Sequence, residues 1–313
     1  MNSTPGDKIL ISLVGSDPIS ILLTARFLDL SGNVLIHTPE TRDAAQRLEK
    51  MLPGCGLLEV DSWEFYKNYL QVIAFLDPSA DYQFNLSDGS RELALISAFL
   101  LNLIEAPLYI LNRGGVGDDL YTYSIEDGKI QPPEVRSLPG LLTLGEYLQV
   151  CVGEYAQVDP TAELAEGRQE IRDLILNFVK LLRRTAAADE DLIGVKLTGP
   201  RGEITLDLMM RIENQVSAVI FRRESADLTR AIDLLGAAGQ ESCLGPQTHR
   251  FLVIDGSLED GQLFSAAETQ GISIVTLSRP SAGSLREGEI QRVLESILAE
   301  MSSPKRSSST PAH

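Results

Sequence analysis

Phe84-Asn-Leu-Ser-Asp-Gly-Ser-Arg-Glu-Leu-Ala-Leu-Ile-Ser97 is the stretch from which the fold is read. A short apolar strand ends near Asn85. Ser87, Asp88 and Gly89 make a turn, and Ser90 is placed as the N-cap of a long helix through Ala94, Leu95, Ala98, Phe99 and Leu101. A strand that feeds a helix through a small polar turn offers an anion site, because free N–H groups and the helix dipole both favour negative charge there. Arg91 sits in the first turn, where a basic side chain opposes the dipole. A bound polyanion accounts for that placement. So does an ordinary capped helix whose Arg91 points into water.

Upstream, residues 8–15 form a near-continuous apolar run, the signature of a buried parallel strand. Ser16-Asp17-Pro18 opens a helix, with Pro18 suited to its first turn. A second strand is expected over 34–37 and a helix over 41–52, giving β-α-β-α and a parallel sheet with right-handed crossovers. The first turn carries one glycine, Gly15, where a dinucleotide fingerprint wants three, and the second strand ends in His37-Thr38 where it wants an acid. A nicotinamide or flavin cofactor is therefore not expected.

A third strand is expected over 56–60 and a helix over 63–76, whose Phe65, Tyr66, Tyr69 and Leu70 are read as core. Another strand spans 107–111. Residues 120–125 and 129–131, joined by Glu126-Asp127-Gly128, read as an edge hairpin. Pro132, Pro133 and Pro139-Gly140 close the first domain.

Asn85-Leu-Ser-Asp-Gly-Ser-Arg91 resembles the Asn-Leu-Thr-Gly-Gly-Thr-Lys signature of CARF domains, the Rossmann-like ligand-sensing domains of CRISPR-associated ancillary proteins. Ser87, Ser90 and Arg91 keep the hydroxyls and the positive charge of that pattern. Asp88 replaces a glycine and sets a carboxylate where an anionic ligand is expected. The resemblance implies a ligand pocket lined by Gly15, Ser16, Asp17 and Thr38 together with Asn85, Ser87, Asp88, Gly89, Ser90 and Arg91. It further implies a homodimer paired across the first domains, with a cyclic oligoadenylate, cyclic tetra-adenylate for preference, held near the twofold axis.

The 313 residues suffice for two domains of ordinary size. The net charge of −17 opposes non-specific nucleic-acid binding, which draws its affinity from Lys and Arg on phosphates. Cys55, Cys151 and Cys243 are scattered and odd in number, with no Cys-x-x-Cys, which argues against a disulfide framework or zinc site and fits a reducing cytoplasm. Three histidines are too few for a His-rich metal centre. No run is long and apolar enough to span a bilayer, and no signal peptide is read.

The reading divides the chain into a sensing domain over 1–140, a connector over 141–165, a second domain over 166–301 and a polar Ser/Pro-rich tail over 302–313. Within the connector, residues 142–148 resemble the segment that joins CARF to nuclease domain in the DUF1887-type family. The second domain reads as a helix over 171–182, strands over 192–197, 204–212 and 216–221, and a helix over 228–238. A strand over 249–254, a helix over 261–270, a strand over 272–277 and a helix over 290–301 follow. That order resembles the restriction-endonuclease-like fold. Its nucleases hold metal on an Asp and, about fourteen residues later, a Glu followed by x-Lys.

Counting from Asp207 lands on Phe221 and Arg223. An aromatic ring cannot ligate magnesium, which takes oxygen donors. Arg223 keeps a charge but cannot serve as a compact, deprotonatable donor. Asp207 is thus read as the remnant of a catalytic site with no metal set. Magnesium or manganese is implied only if Glu203 or Glu224 substitutes.

The expected function is a cytoplasmic cyclic-oligoadenylate sensor of type III CRISPR defence with a non-cutting nuclease-like domain. A ligand-activated metal nuclease remains the alternative, as does a ring nuclease that cleaves its own ligand through Ser16, Ser87 and Arg91. A purely structural or transcriptional partner ranks last, since no helix-turn-helix is evident.

Overall fold

Apolar runs of the first half become the parallel strands β1 (Lys8–Leu13), β2 (Gly32–His37), β3 (Cys55–Glu59), β4 (Asp81–Asn85) and β5 (Leu108–Asn112). The computed structural model describes residues 7–61, 64–104, 106–113, 117–126, 129–162, 168–199, 202–223, 227–257, 260–277 and 287–302. Trp63, Glu224, the 200–201 and 127–128 turns, the lead-in 1–6, residues 163–167 of the polar run and the tail beyond 302 lie outside them. The described residues fold as two units. The first comprises the stretches up to Arg113, Asp118–Leu142 and Glu146–Gly153. The second runs from Glu154 onward and takes in Thr143–Gly145.

In the first unit the sheet order is β3-β2-β1-β4-β5-β6-β9, the last two being β6 (Asp118–Tyr123) and β9 (Glu134–Leu138). Helices α1 (Pro18–Leu28), α2 (Arg42–Met51), α3 (Phe65–Phe75) and α4 (Arg91–Ile104) connect the parallel strands. One face of the sheet, carrying Ile9, Ile11, Val34, Ile36 and Phe84, packs on Val72 of α3 and Leu93, Ile96 and Leu100 of α4. Alternation along each strand sends Leu10 and Leu35 to the other face. Side chains such as Phe84 and Leu10, fully buried, each stabilise the fold by about 1.5–3 kcal/mol.

Two expectations need correcting. The 120–131 stretch is not one edge hairpin. β6 pairs antiparallel with β5 and β9, and only the short β7 (Ile125–Glu126) and β8 (Lys129–Ile130) pair with each other. β9 lies just past Pro132-Pro133, on the sheet edge, where a preceding proline costs no ladder bond. The aromatic face of α3 is core only in part, through Tyr69, which packs against the buried cluster. Only Asn68 and Val72 of that helix are buried, while Tyr66 is 71% and Leu70 47% exposed.

The expected connector forms structure of its own. α5 (Leu144–Cys151) buries Tyr147, Leu148 and Val150. Arg26 pairs with Glu146 at 2.7 Å. Arg47 donates to the carbonyls of Val150 and Cys151, at 2.7 and 3.1 Å, satisfying acceptors that the end of α5 leaves open. β10 (Tyr155–Gln157) then pairs antiparallel with β11 (Glu190–Gly199) in the second unit.

The second unit's sheet runs β10-β11-β12-β13-β14-β15, with β12 (Gly202–Ile212), β13 (Gln215–Arg223), β14 (His249–Asp255) and β15 (Ser273–Leu277). The pairs from β10 to β13 are antiparallel and those from β13 to β15 parallel. α6 (Arg168–Thr185) and α9 (Glu287–Met301) cover one face, packing Phe178 and Ile297 on Leu208, Met210, Phe221 and Phe251. α7 (Leu228–Ala238) lies against β12, β13 and β14, and α8 (Gly261–Thr269) against α7 and β15. Both helices begin on an aspartate, Asp227 and Asp260, whose side chain accepts a first-turn N–H. All three cysteines are free thiols. No helix among the described residues is long and apolar enough to cross a membrane.

Candidate functional site

β1 lies between β2 and β4, so the chain winds outward through β2 and β3, then returns across β1 to continue through β4 and β5. In an open parallel sheet, ligands bind at the crevice beyond the strand ends where that reversal occurs. The turn after β1 carries Gly15, Ser16 and Asp17, and the turn after β4 carries residues 86–90. The fold therefore brings two of the three groups of expected ligand residues together.

The two turns are pressed into contact. A Cβ on Gly15 would stand 2.5 Å from Asp88 Oδ1 and 2.6 Å from the Gly89 nitrogen, so only glycine fits. Gly89 has φ +104°, and a Cβ there would meet Leu13 Cβ at 2.5 Å. The Asp88 carboxylate closes the seam. Its Oδ2 accepts from the Gly15 N–H at 2.7 Å and from the Asp17 N–H at 3.0 Å. Burial holds the Asp88 carboxyl above the usual carboxylate range. The Gly89 N–H bond opposes this, the Asp17 charge adds to it, and the Gly15 and Asp17 N–H bonds oppose it too.

Asn85 and Ser87 serve the scaffold. Asn85 is fully buried, and its Nδ2 donates to Ser12 Oγ on β1 at 3.3 Å. Its Oδ1 accepts from the Ser87 N–H at 3.0 Å and from the Ser87 hydroxyl. Ser87 Oγ in turn accepts from the Leu111 N–H on β5 at 2.7 Å. The turn is thereby tied to both neighbouring strands. Ser90 is the N-cap the sequence suggested, accepting from Leu93 N–H at 3.3 Å. Ser16, Ser90 and Arg91 are exposed.

Thr38 is buried at the end of β2, where its N–H donates to Thr41 Oγ1 at 3.1 Å. Among the described residues no hydrogen bond joins it to the other two turns.

Sequence reasoning missed Arg113, which follows β5 and is 7% exposed. Its Nη1 donates to Asp17 Oδ1 at 2.7 Å, and its Nε lies 3.8 Å from Asp118 Oδ1 at the start of β6. Asp17 also accepts from the Ser20 hydroxyl. A basic residue just past a third parallel strand was the available signal, since parallel neighbours end on one rim. The rim therefore holds one buried guanidinium between Asp17 and Asp118, and a third carboxylate, Asp88, on the backbone N–H groups of the first turn, with the hydroxyls and cation of Ser16, Ser90 and Arg91 exposed.

In the second unit Asp207 is 1% exposed on β12. The count from Asp207 put Phe221 at the position of the second metal carboxylate, but Phe221 points to the opposite layer, where it meets Phe178 edge-on at 5.5 Å between ring centres. Period-two alternation puts the next residue, Arg222, on the face of Asp207 instead. Arg222 Nη1 donates to Asp207 Oδ2 at 2.8 Å and to the Phe221 carbonyl at 2.7 Å, and Phe221 N–H donates to the same Oδ2 at 2.6 Å. Burial pushes the Asp207 carboxyl up to about 6, against the pull of Arg222 and the Phe221 N–H.

Glu203 pairs with Lys196 at 2.7 Å, and Arg223 lies 3.8 Å from Glu170. Among the described residues no three His, Cys, Asp or Glu side chains gather as a metal would need. Among the described residues, Asp207 is met by the Arg222 guanidinium and the Phe221 N–H, donors that do not fit a divalent cation.

No protein-family model matches the chain, and no curated protein does. Solved structures do. VC1899 from Vibrio cholerae is similar with a TM-score of 0.68 at 11% identity, over 95% of this chain and 99% of its own. Can2 from Sulfobacillus thermosulfidooxidans, determined in complex with cyclic tetra-adenylate, is similar with a TM-score of 0.69 at 11% identity, over 93% of this chain and 99% of its own. At such identity the likeness is one of fold. The chain has the α/β fold of these two proteins along nearly its whole length, as the Asn85–Arg91 resemblance implied.

Proposed function

We propose that this chain is a CARF-type sensor of cyclic oligoadenylate in type III CRISPR antiviral defence, with cyclic tetra-adenylate as its preferred ring. The observation that carries the reading is the meeting of the β1 and β4 turns at the sheet's reversal point, in a chain that shares its fold with Can2. Can2 was determined holding that ring. The exposed hydroxyls of Ser16 and Ser90 and the guanidinium of Arg91 are placed to meet phosphate oxygens at the start of α4.

The binding form is a homodimer. Along α4, Leu95 and Phe99 are each 55% exposed, and Phe65 and Tyr69 of α3 set their rings against Phe99. Phe65 of α3 meets Phe99 edge-on at 5.6 Å, so the two helices present a joined surface. Contiguous apolar surface of this kind marks an interaction site. A second copy seated on it shares the helix that begins at Ser90. Twofold pairing then carries two Ser90 turns to one axis, matching the symmetry of an even-numbered ring.

The second unit does not cut. Arg222 supplies the positive charge on Asp207 that a metal supplies in a nuclease of this fold, and it supplies no water to activate. Its role in this reading is to relay ligand binding to a partner. The ring-nuclease alternative is weakened because the Ser87 hydroxyl is engaged by Asn85 and Leu111. Nucleic acid binds weakly or not at all, given the net charge of −17.

Titration calorimetry with cyclic tetra-adenylate tests the reading. One ring per two chains is expected, and Arg91→Ala, which removes one charged phosphate contact from each of the two chains, should weaken binding about a hundredfold. No heat from the unaltered protein would overturn it. Cleavage of supercoiled DNA or single-stranded RNA with manganese and the ring, abolished by Asp207→Ala, would overturn the non-cutting second unit.

A further inference from the structure

We propose that Asp88 is an internal competitor of the ligand's phosphate: its carboxylate occupies the N–H donors of the first turn and sets how tightly, and through which groups, an anion is held. The inference rests on the sensing reading above and concerns the same crevice. The Gly15 and Asp17 N–H groups belong to the turn that leads into helix α1, and successive backbone N–H groups of such turns bind anions in other proteins. Here both already point at an anion from within the chain, Asp88 Oδ2, at 2.7 and 3.0 Å.

The carboxylate cannot drift aside freely. Gly15 and Gly89 allow the two turns to touch, and a single added carbon at either would collide with its neighbour at 2.5 Å. The surroundings also disfavour a second anion. Arg113, the buried cation of this rim, is drawn to Asp17 and lies near Asp118. A phosphate arriving at the first turn must displace Asp88 or stay outside it. If it stays outside, the donors that remain are Ser16, Ser90 and Arg91. Asp88 thus directs the phosphate toward the start of α4 and away from the start of α1, and it acts as a specificity-determining residue.

The test compares cyclic tetra-adenylate binding by the unaltered protein, Asp88→Asn, Asp88→Gly and Asp81→Asn. The asparagine is nearly isosteric and keeps an oxygen to accept from Gly15 and Asp17, so it guards against a folding defect. Asp81 is exposed at the far end of β4, and its variant makes the same change in net charge away from the crevice. The expected result is at least about tenfold tighter binding for Asp88→Asn, and a larger gain for Asp88→Gly, which frees both donors. Asp81→Asn should shift binding less than about twofold.

Equal gains for Asp81→Asn and Asp88→Asn would reduce the effect to general charge and overturn the proposal. Binding by the unaltered protein that weakens in both Asp88 variants would also overturn it, making Asp88 a ligand acceptor, while leaving the sensing reading intact. No binding by any of the four proteins would overturn the sensing reading, and this inference with it.

Discussion

Replacing Arg222 with alanine leaves the Asp207 carboxylate buried with the Phe221 N–H as its one remaining named partner. Asp207 is 1% exposed, and Arg222 supplies a charged hydrogen bond at 2.8 Å. Removing one member of a buried pair costs about 3–5 kcal/mol, because the other charge stays desolvated. The loss must depend on pH, and its sign follows from burial. Asp207 has a folded value of about 6 against an ordinary 3.8, so between those values the native state binds the extra proton. Stability is therefore greatest below the lower value and falls as pH rises through the upper one. The gap corresponds to about 3 kcal/mol in the unaltered protein.

Without Arg222 the carboxyl rises further, so the variant recovers most of its loss on acidification, when Asp207 is neutral. Urea unfolding followed by far-UV circular dichroism, at about pH 7.5 and about pH 5, measures this, with hydrogen exchange at the Phe221 amide reporting the strand itself. The expected deficit is about 3–5 kcal/mol at the higher pH and at least about 2 kcal/mol less at the lower. A deficit below about 1 kcal/mol at both, or one that grows in acid, would refute the pairing. Asp207→Leu with Arg222→Met, which swaps the pair for apolar side chains, should cost little at either pH.

Two other outcomes follow from the first unit. Gly89→Ala forces a side chain onto a positive-φ residue against Leu13 Cβ, and should cost about 3 kcal/mol and cut soluble yield, read by thermal melting. A melting point within a degree of the unaltered protein would show that the turn can shift. If the proposed homodimer pairs through α4, Leu95→Asp on its exposed face should leave a monomer in light scattering while changing monomer stability by no more than about 0.5 kcal/mol. A persistent dimer would move the interface elsewhere.

Much of the fold was legible because apolar periodicity is a local property. The runs at 8–15, 34–37 and 107–111 became the strands β1, β2 and β5 of one sheet, and helix α7 formed over Leu228–Ala238, the span its apolar spacing gives. The likeness of residues 85–91 to a sensing turn rested on hydroxyls and charge in sequence order, and the turn does stand at the sheet's reversal point. Which side chain faces which was not legible. Counting residues from Asp207 picked Phe221, but hydrogen-bond register and period-two alternation put Arg222 there. Tyr66 and Leu70 on α3 looked like core because periodicity marks an apolar face without saying what covers it.

The order of residues in the chain determined where strands and helices begin and end, since those depend on neighbours a few positions away. Only the tertiary structure decided that Asp88, some seventy residues along from Gly15, fills that turn's donors, and that Arg113 joins Asp17 across the rim. Such contacts depend on strand order and close approach of backbones. Both are set by how the whole sheet assembles, and neither is encoded at the positions that meet.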